Sequence, residues 1–183
     1  FVVGGVAFCT AMLAPSALKI DFRRDWNRLG LLRSLPVRPW EMVLGQIGIP
    51  VLLTWVFQAV VLMIAIIVLQ PTWTAALLWL GMLSALAIVI FALENSLFLW
   101  IPRAPHQQRG IGMLLQTKLM FIAKTTGLLL AFVFLSVWST FCQARLPPTL
   151  SGPLLIAAPV IASWSLALAA IWMTAKSWQR TVA

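Results

Sequence analysis

The sequence predicts an all-α integral membrane protein, a single transmembrane domain over residues 1–183 in which five helices cross the bilayer. Three observations carry this. The 183 residues are 62% hydrophobic and 9% charged, with a mean hydropathy of +0.99, whereas a soluble domain carries about 25% charged residues. Five apolar runs are long enough to cross about 30 Å of hydrocarbon, which takes about 20 helical residues. Of the 13 Lys and Arg residues, all but Arg145 fall on one side once those runs are threaded through a membrane.

The runs are residues 1–18, 40–69, 72–100, 112–141 and 152–175. Helices are the choice for each, because backbone groups in lipid must be satisfied within the segment. Barrel strands would be about ten residues long and alternate in polarity, and these runs do neither. Basic residues are retained in the cytoplasm during insertion. The loops 19–39 and 101–111 and the tail from Lys176 are therefore expected in the cytoplasm, and Phe1 outside. An outside start is expected to follow at least one further span upstream of Phe1, giving a six-helix module of which this chain is truncated at its start.

The formal charge of +9 does not point to nucleic acid, which needs clustered bases on a folded surface. Here the charges punctuate apolar runs, and topology accounts for most of them. Cys9 and Cys142 lie inside apolar runs and read as buried small hydrophobes. His106 has no partner at ligand spacing, so no metal or cofactor is expected. Trp26, Trp40, Trp73, Trp100 and Trp178 lie near span ends, where an indole anchors at the membrane interface.

The loop 19–39 is the richest segment. At 100° per residue Phe22, Trp26, Leu29 and Leu32 share one face, and Arg23, Arg24, Asn27 and Arg28 the other. Arg33 intrudes on the apolar side and Gly30 weakens the helix. Pro36 and Pro39 stop it, and Pro39 suits the first position of the next helix, with Glu41 in its first turn. This amphipathic helix has two readings: an anchor on anionic lipid, or a rigid lever that a partner protein pushes.

Within the spans, Pro50 predicts a bend and Gln58 an interhelical hydrogen bond. Glu94 is a functional-site candidate, since an intramembrane carboxylate is costly. Measured from Trp100 and from Gly112, Glu94 and Lys118 come to equal depth on consecutive antiparallel spans. Glu94 is therefore expected to pair with Lys118, with Lys124 as the second candidate. The segment 143–153 holds three prolines and is expected to break regular helix. No phosphate-binding loop, His-Glu-x-x-His or Gly-x-Ser-x-Gly occurs in the chain, so no enzymatic activity is expected of it.

The run Asp21-Phe-Arg-Arg-Asp25, followed by Leu31-Leu-Arg-Ser-Leu-Pro-Val-Arg-Pro39 and Val43-Leu-Gly-Gln46, resembles the permease subunits of bacterial type-2 ABC exporters. Glu94-Asn-Ser-Leu-Phe-Leu-Trp-Ile-Pro-Arg103 resembles the second cytoplasmic loop of the same group. The resemblance covers about residues 19–125. It implies a six-helix permease half in the cell inner membrane that dimerises with itself or another permease half and docks on a separate ABC ATPase subunit. It makes the loop 19–39 a coupling helix. Docking then falls to Arg23, Arg24, Asp25, Arg28 and Arg33, and a rigid turn to Pro36 and Pro39. The rival readings are a proton-driven secondary transporter using Glu94 and a membrane anchor that transports nothing.

The basic asymmetry makes a direct prediction. A cysteine at Gln107 is expected to react only with reagents on the cytoplasmic face, and one at Thr149 only with external ones. The opposite labelling pattern would reverse the orientation and remove the coupling loop from the cytoplasm.

Overall fold

A computed structural model describes residues 5, 6, 9, 36–100, 111–145 and 147–182. Among these residues the chain is helical, in four long elements: α1 (Pro39–Leu69), α2 (Trp73–Trp100), α3 (Ile111–Arg145) and α4 (Pro148–Val182). Each is long and apolar enough to cross a membrane, which fits a multi-pass membrane protein. Most of the expected first span, the loop as far as Leu35 and residues 101–110 lie outside the described residues. Of the first span, Gly5, Val6 and Cys9 are helical, and Val6 is buried in a cluster with Leu62 and Leu83.

The ends of α1 follow from local chemistry. Pro39 occupies the first turn, where its missing N–H costs nothing. The Arg38 N–H donates to Glu41 Oε2 at 3.1 Å, and the Arg38 carbonyl accepts from the Glu41 and Met42 amides at 3.0 and 3.1 Å. At the far end Gln70 turns left-handed at φ 44° and its N–H donates to the Ile66 carbonyl at 3.0 Å, closing the helix as a C-terminal cap. Pro71 follows. Thr72 then caps α2, its Oγ1 accepting from the Ala75 N–H at 3.4 Å.

As expected, residues 143–153 are not regular helix throughout: Pro147 is non-helical and lies between two helices. Helix α3 runs through Arg145 and α4 begins at Pro148, with Pro153 inside it. The Pro147 carbonyl accepts from the Leu150 and Ser151 amides, both at 3.0 Å. Pro148 stands where no amide is needed, and Pro153 gives up one intrahelical bond close to the helix start. Pro147 and Pro148 thus stand at the break between α3 and α4, and Pro153 is carried inside the helix that follows.

Polar contacts set the directions. Trp55 Nε1 donates to the Ser84 carbonyl at 3.0 Å and Gln58 Nε2 to the Leu83 carbonyl at 3.1 Å, so α1 and α2 are antiparallel. Gln58 is buried and makes the interhelical bond expected of it. Thr174 on α4 reaches the Ala92 carbonyl of α2, while Gly81 meets Val160. Helices α2 and α4 therefore run parallel. Trp138 Nε1 donates to the Leu154 carbonyl at 3.2 Å and ties α3 antiparallel to α4. Arg38, Lys118, Lys124 and Lys176 consequently lie toward one end of the bundle and Arg145 at the other.

Helix α2 is central, with 44% of its apolar stretch buried against 6% for α3. Its interface with α4 is the most extensive among the described residues. Gly81, Ala85, Ile88 and Ala92 recur at steps of four, three and four, and Ala167, Ala170 and Thr174 at three and four. That mean repeat of about 3.5 is the seam of left-handed helix pairs, and small residues along it let backbones approach closely in lipid. Val43, Ile47 and Val51 of α1 complete this core.

A Cβ added at Gly81 would stand 2.8 Å from Val160 Cγ2. Val is stiff about χ1, so the helices would have to part. Gly81→Leu is expected to cost about 3 kcal/mol, at the upper end of overpacking, or to prevent folding. Gly81→Ala combined with Val160→Ala is expected to be near neutral. Unfolding in mixed micelles checks both, and a Gly81→Leu protein as stable as its parent would mean that the two helices do not meet there.

Candidate functional site

Two of the described charged residues come together inside the bundle. Glu94 lies on α2 where that helix's long apolar run ends at Leu93. Lys124 lies on α3, three residues before the apolar run from Gly127. Lys124 Nζ donates to Glu94 Oε1, and each side chain is only 14% exposed.

This corrects the expected partner. The ion pair is Glu94–Lys124, not Glu94–Lys118, and Lys118 is exposed on α3. The depth of Lys118 was reckoned from Gly112, as though the span began there. Helix α3 has 35 residues, about 50 Å at the usual rise, and is longer than the hydrocarbon core it has to cross. Its first turns fall short of that core. Reckoned from the edges of the uninterrupted apolar runs, Glu94 and Lys124 are level.

The neighbouring turns of α2 and the facing end of α4 carry further polar side chains, all buried. Asn95 Nδ2 donates to the Phe91 carbonyl at 2.9 Å. Thr174 Oγ1 is shared between the Ala170 carbonyl of its own helix at 2.8 Å and the Ala92 carbonyl across the interface at 2.9 Å. Ser177 Oγ donates to the Met173 carbonyl at 2.7 Å. Ser96 is buried on α2. Thr174 escaped the reading of the sequence, although a Thr in step with Ala167 and Ala170 marks a polar group on a packed seam.

The remaining candidates divide clearly. Arg23, Arg24, Asp25, Arg28 and Arg33 lie outside the described residues. Pro36 is exposed in a non-helical lead-in, and Pro39 opens α1. Trp40 and Trp73 are exposed at helix starts, as interfacial anchors require. Trp178 is instead buried at the end of α4, so its expected anchoring role is corrected. At that end the exposed aromatic is Trp172, with Lys176 Nζ 4.9 Å from its ring centroid, within cation–π range. Cys9 and Cys142 are free thiols, half-buried and buried respectively.

What the site supplies is one anion and one cation, held across a helix boundary in a medium that solvates neither. No family model, no curated protein and no solved structure matches the chain.

Removing one member of an enclosed pair strands the other charge, a loss of about 3–5 kcal/mol. Glu94→Gln is expected to lose about that much in unfolding experiments. Lys118→Gln is expected to stay within about 0.5 kcal/mol of the parent. The double change Glu94→Gln, Lys124→Met, which leaves no charge behind, is expected to recover most of the loss. Equal losses at Lys118 and Lys124 would contradict the pairing.

Proposed function

We propose that this chain is a permease subunit of an ATP-driven exporter of the type-2 ABC class. It forms the transport path in the inner membrane, with the basic end of the bundle in the cytoplasm. It pairs with a second permease half and docks on a separate ATPase subunit through the coupling segment from Asp21 to Arg38. In this reading ATP-driven movement of the ATPase displaces the coupling segment, and the bundle tilts as a rigid body.

The observation that carries the proposal is how tightly the end of that segment is joined to the helical core. Arg38 is clamped to the first turn of α1 through its own N–H and carbonyl, and Pro39 removes a backbone freedom at the joint. The next turns hold two fully buried apolar residues of α1, Val43 at 0% and Ile47 at 2% exposure. Both belong to the cluster shared with α2 and α4. A push arriving at Arg38 is thus delivered to three helices at once and is not absorbed by a loose linker.

The proton-carrier reading of Glu94 draws less support, because Glu94 has a fixed counter-charge in Lys124. An anchor without transport has no use for a rigid joint at this position.

The test uses the full protein purified from its native membrane with its bound subunits. ATPase activity is expected to co-purify. Reversing both charges, Arg24→Glu with Arg28→Glu, is expected to leave insertion unchanged and cut the recovered activity at least roughly ten-fold, the loss of about 1.4 kcal/mol of docking energy. Wild-type recovery from an inserted double variant would remove the docking role, and no co-purifying ATPase from the unaltered protein would remove the exporter reading.

A further inference from the structure

We propose that the Glu94–Lys124 ion pair is a latch, holding α3 as a separable helix against a rigid body made of α1, α2 and α4. The inference does not depend on what drives transport.

Helix α3 is poorly held by packing. Only 6% of its apolar stretch is buried, and its main neighbour is α4, with little contact to α2. Three of its hydroxyls are turned back onto their own helix. Thr125 donates to the Phe121 carbonyl at 2.8 Å, and Ser136 and Thr140 donate to the Phe132 and Ser136 carbonyls, both at 2.9 Å. They contribute no tie to a neighbouring helix. Two polar contacts to other helices hold α3 among the described residues: Lys124 with Glu94 at one end, and Trp138 with the Leu154 carbonyl at the other.

These two ties are not equivalent. Trp138 and Leu154 flank the connection between α3 and α4, close to where any hinge between them must be. A rotation of about 10° about that connection carries Trp138, seven residues from Arg145, only about 2 Å, a shift its long side chain can follow. Lys124 stands 21 residues from Arg145, about 30 Å along the helix, so a rotation of about 10° carries it about 5 Å. That parts the ion pair. On the other side of the latch the Asn95–Phe91 bond within α2 and the Thr174–Ala92 bond between α4 and α2 lie inside the body and are untouched by the swing.

The chemistry of the pair makes the latch two-state. Closed, each charge neutralises the other in a poorly solvating site. Open, each needs water or another counter-charge, so parting α2 from α3 is linked to hydration of the cleft between them. The closed state is thereby favoured until water or a charged group enters from the end where Lys118 is exposed.

Distances between spin labels in lipid nanodiscs test this on the full chain, with Cys9→Ser and Cys142→Ala as background. Labels at Ile122 on α3 and Leu168 on α4, both exposed, report the swing. Labels at Leu80 on α2 and Leu166 on α4, also exposed, report the body. Glu94→Gln is expected to add a second population about 5 Å or more longer to the first pair and to leave the second pair unchanged. The swapped protein, Glu94→Lys with Lys124→Glu, is expected to return to one population. If Glu94→Gln fails to insert, the uncharged double variant Glu94→Gln, Lys124→Gln is expected to show the same second population. A first-pair distribution identical to the parent in the variant measured, equal broadening of both pairs, or a swapped protein that behaves like the single variant would overturn the latch.

Discussion

Every polar group in this bundle has to find its partner inside the protein, and that constraint organises the rest. Hydrocarbon offers no hydrogen bonds, so an unsatisfied group costs several kcal/mol, roughly, wherever it stands. The chain meets the constraint in layers. Backbone groups are consumed by four long helices. Short hydroxyls return to the preceding turn, as Thr54 does to the Pro50 carbonyl at 2.8 Å. The longer polar side chains Trp55, Gln58 and Trp138 reach across to carbonyls of adjacent helices. The charges of Glu94 and Lys124, which no carbonyl satisfies, satisfy each other.

Once that is done, packing decides which helices form a unit. In lipid no hydrophobic driving force brings apolar helices together, and close approach matters most. Helices α2 and α4 achieve it through Gly81, Ala85, Ala92, Ala167 and Ala170, and α1 joins them through Val43 and Ile47. Helix α3 carries Phe121, Leu129, Leu130, Phe132 and Val137 on exposed surface, and no comparable seam. The described part of the molecule is thus a tight three-helix body with a fourth helix at its side, joined to α2 by an ion pair.

The two ends of the bundle differ in the same terms. The basic end holds the clamped entry to α1, the buried polar side chains of α2 and α4 and the ion pair. The opposite end holds the left-handed cap at Gln70, the proline-opened start of α4 and Arg145. The joint at Arg38, the shared core and the enclosed pair are all found at the basic end.

Much of this was determined by the sequence alone. Apolar length specifies a spanning helix almost without reference to its neighbours, so the runs 40–69, 72–100 and 112–141 coincide with α1, α2 and most of α3 to within a few residues. Local caps are equally readable, as Pro39 and Glu41 show. Gln58 was legible because a buried amide in a span has few alternatives to an interhelical bond. The tertiary structure decided what depends on relative depth and rotation. Whether Glu94 meets Lys118 or Lys124 turns on where α3 enters the apolar layer, and α3 is longer than that layer. Whether Trp178 anchors at the surface or packs inside turns on which face α4 presents to α2. The parallel seam of α2 and α4 joins residues 82 positions apart, such as Ala92 and Thr174. A one-dimensional pattern records how apolar a residue's surroundings must be, but not which helix supplies them.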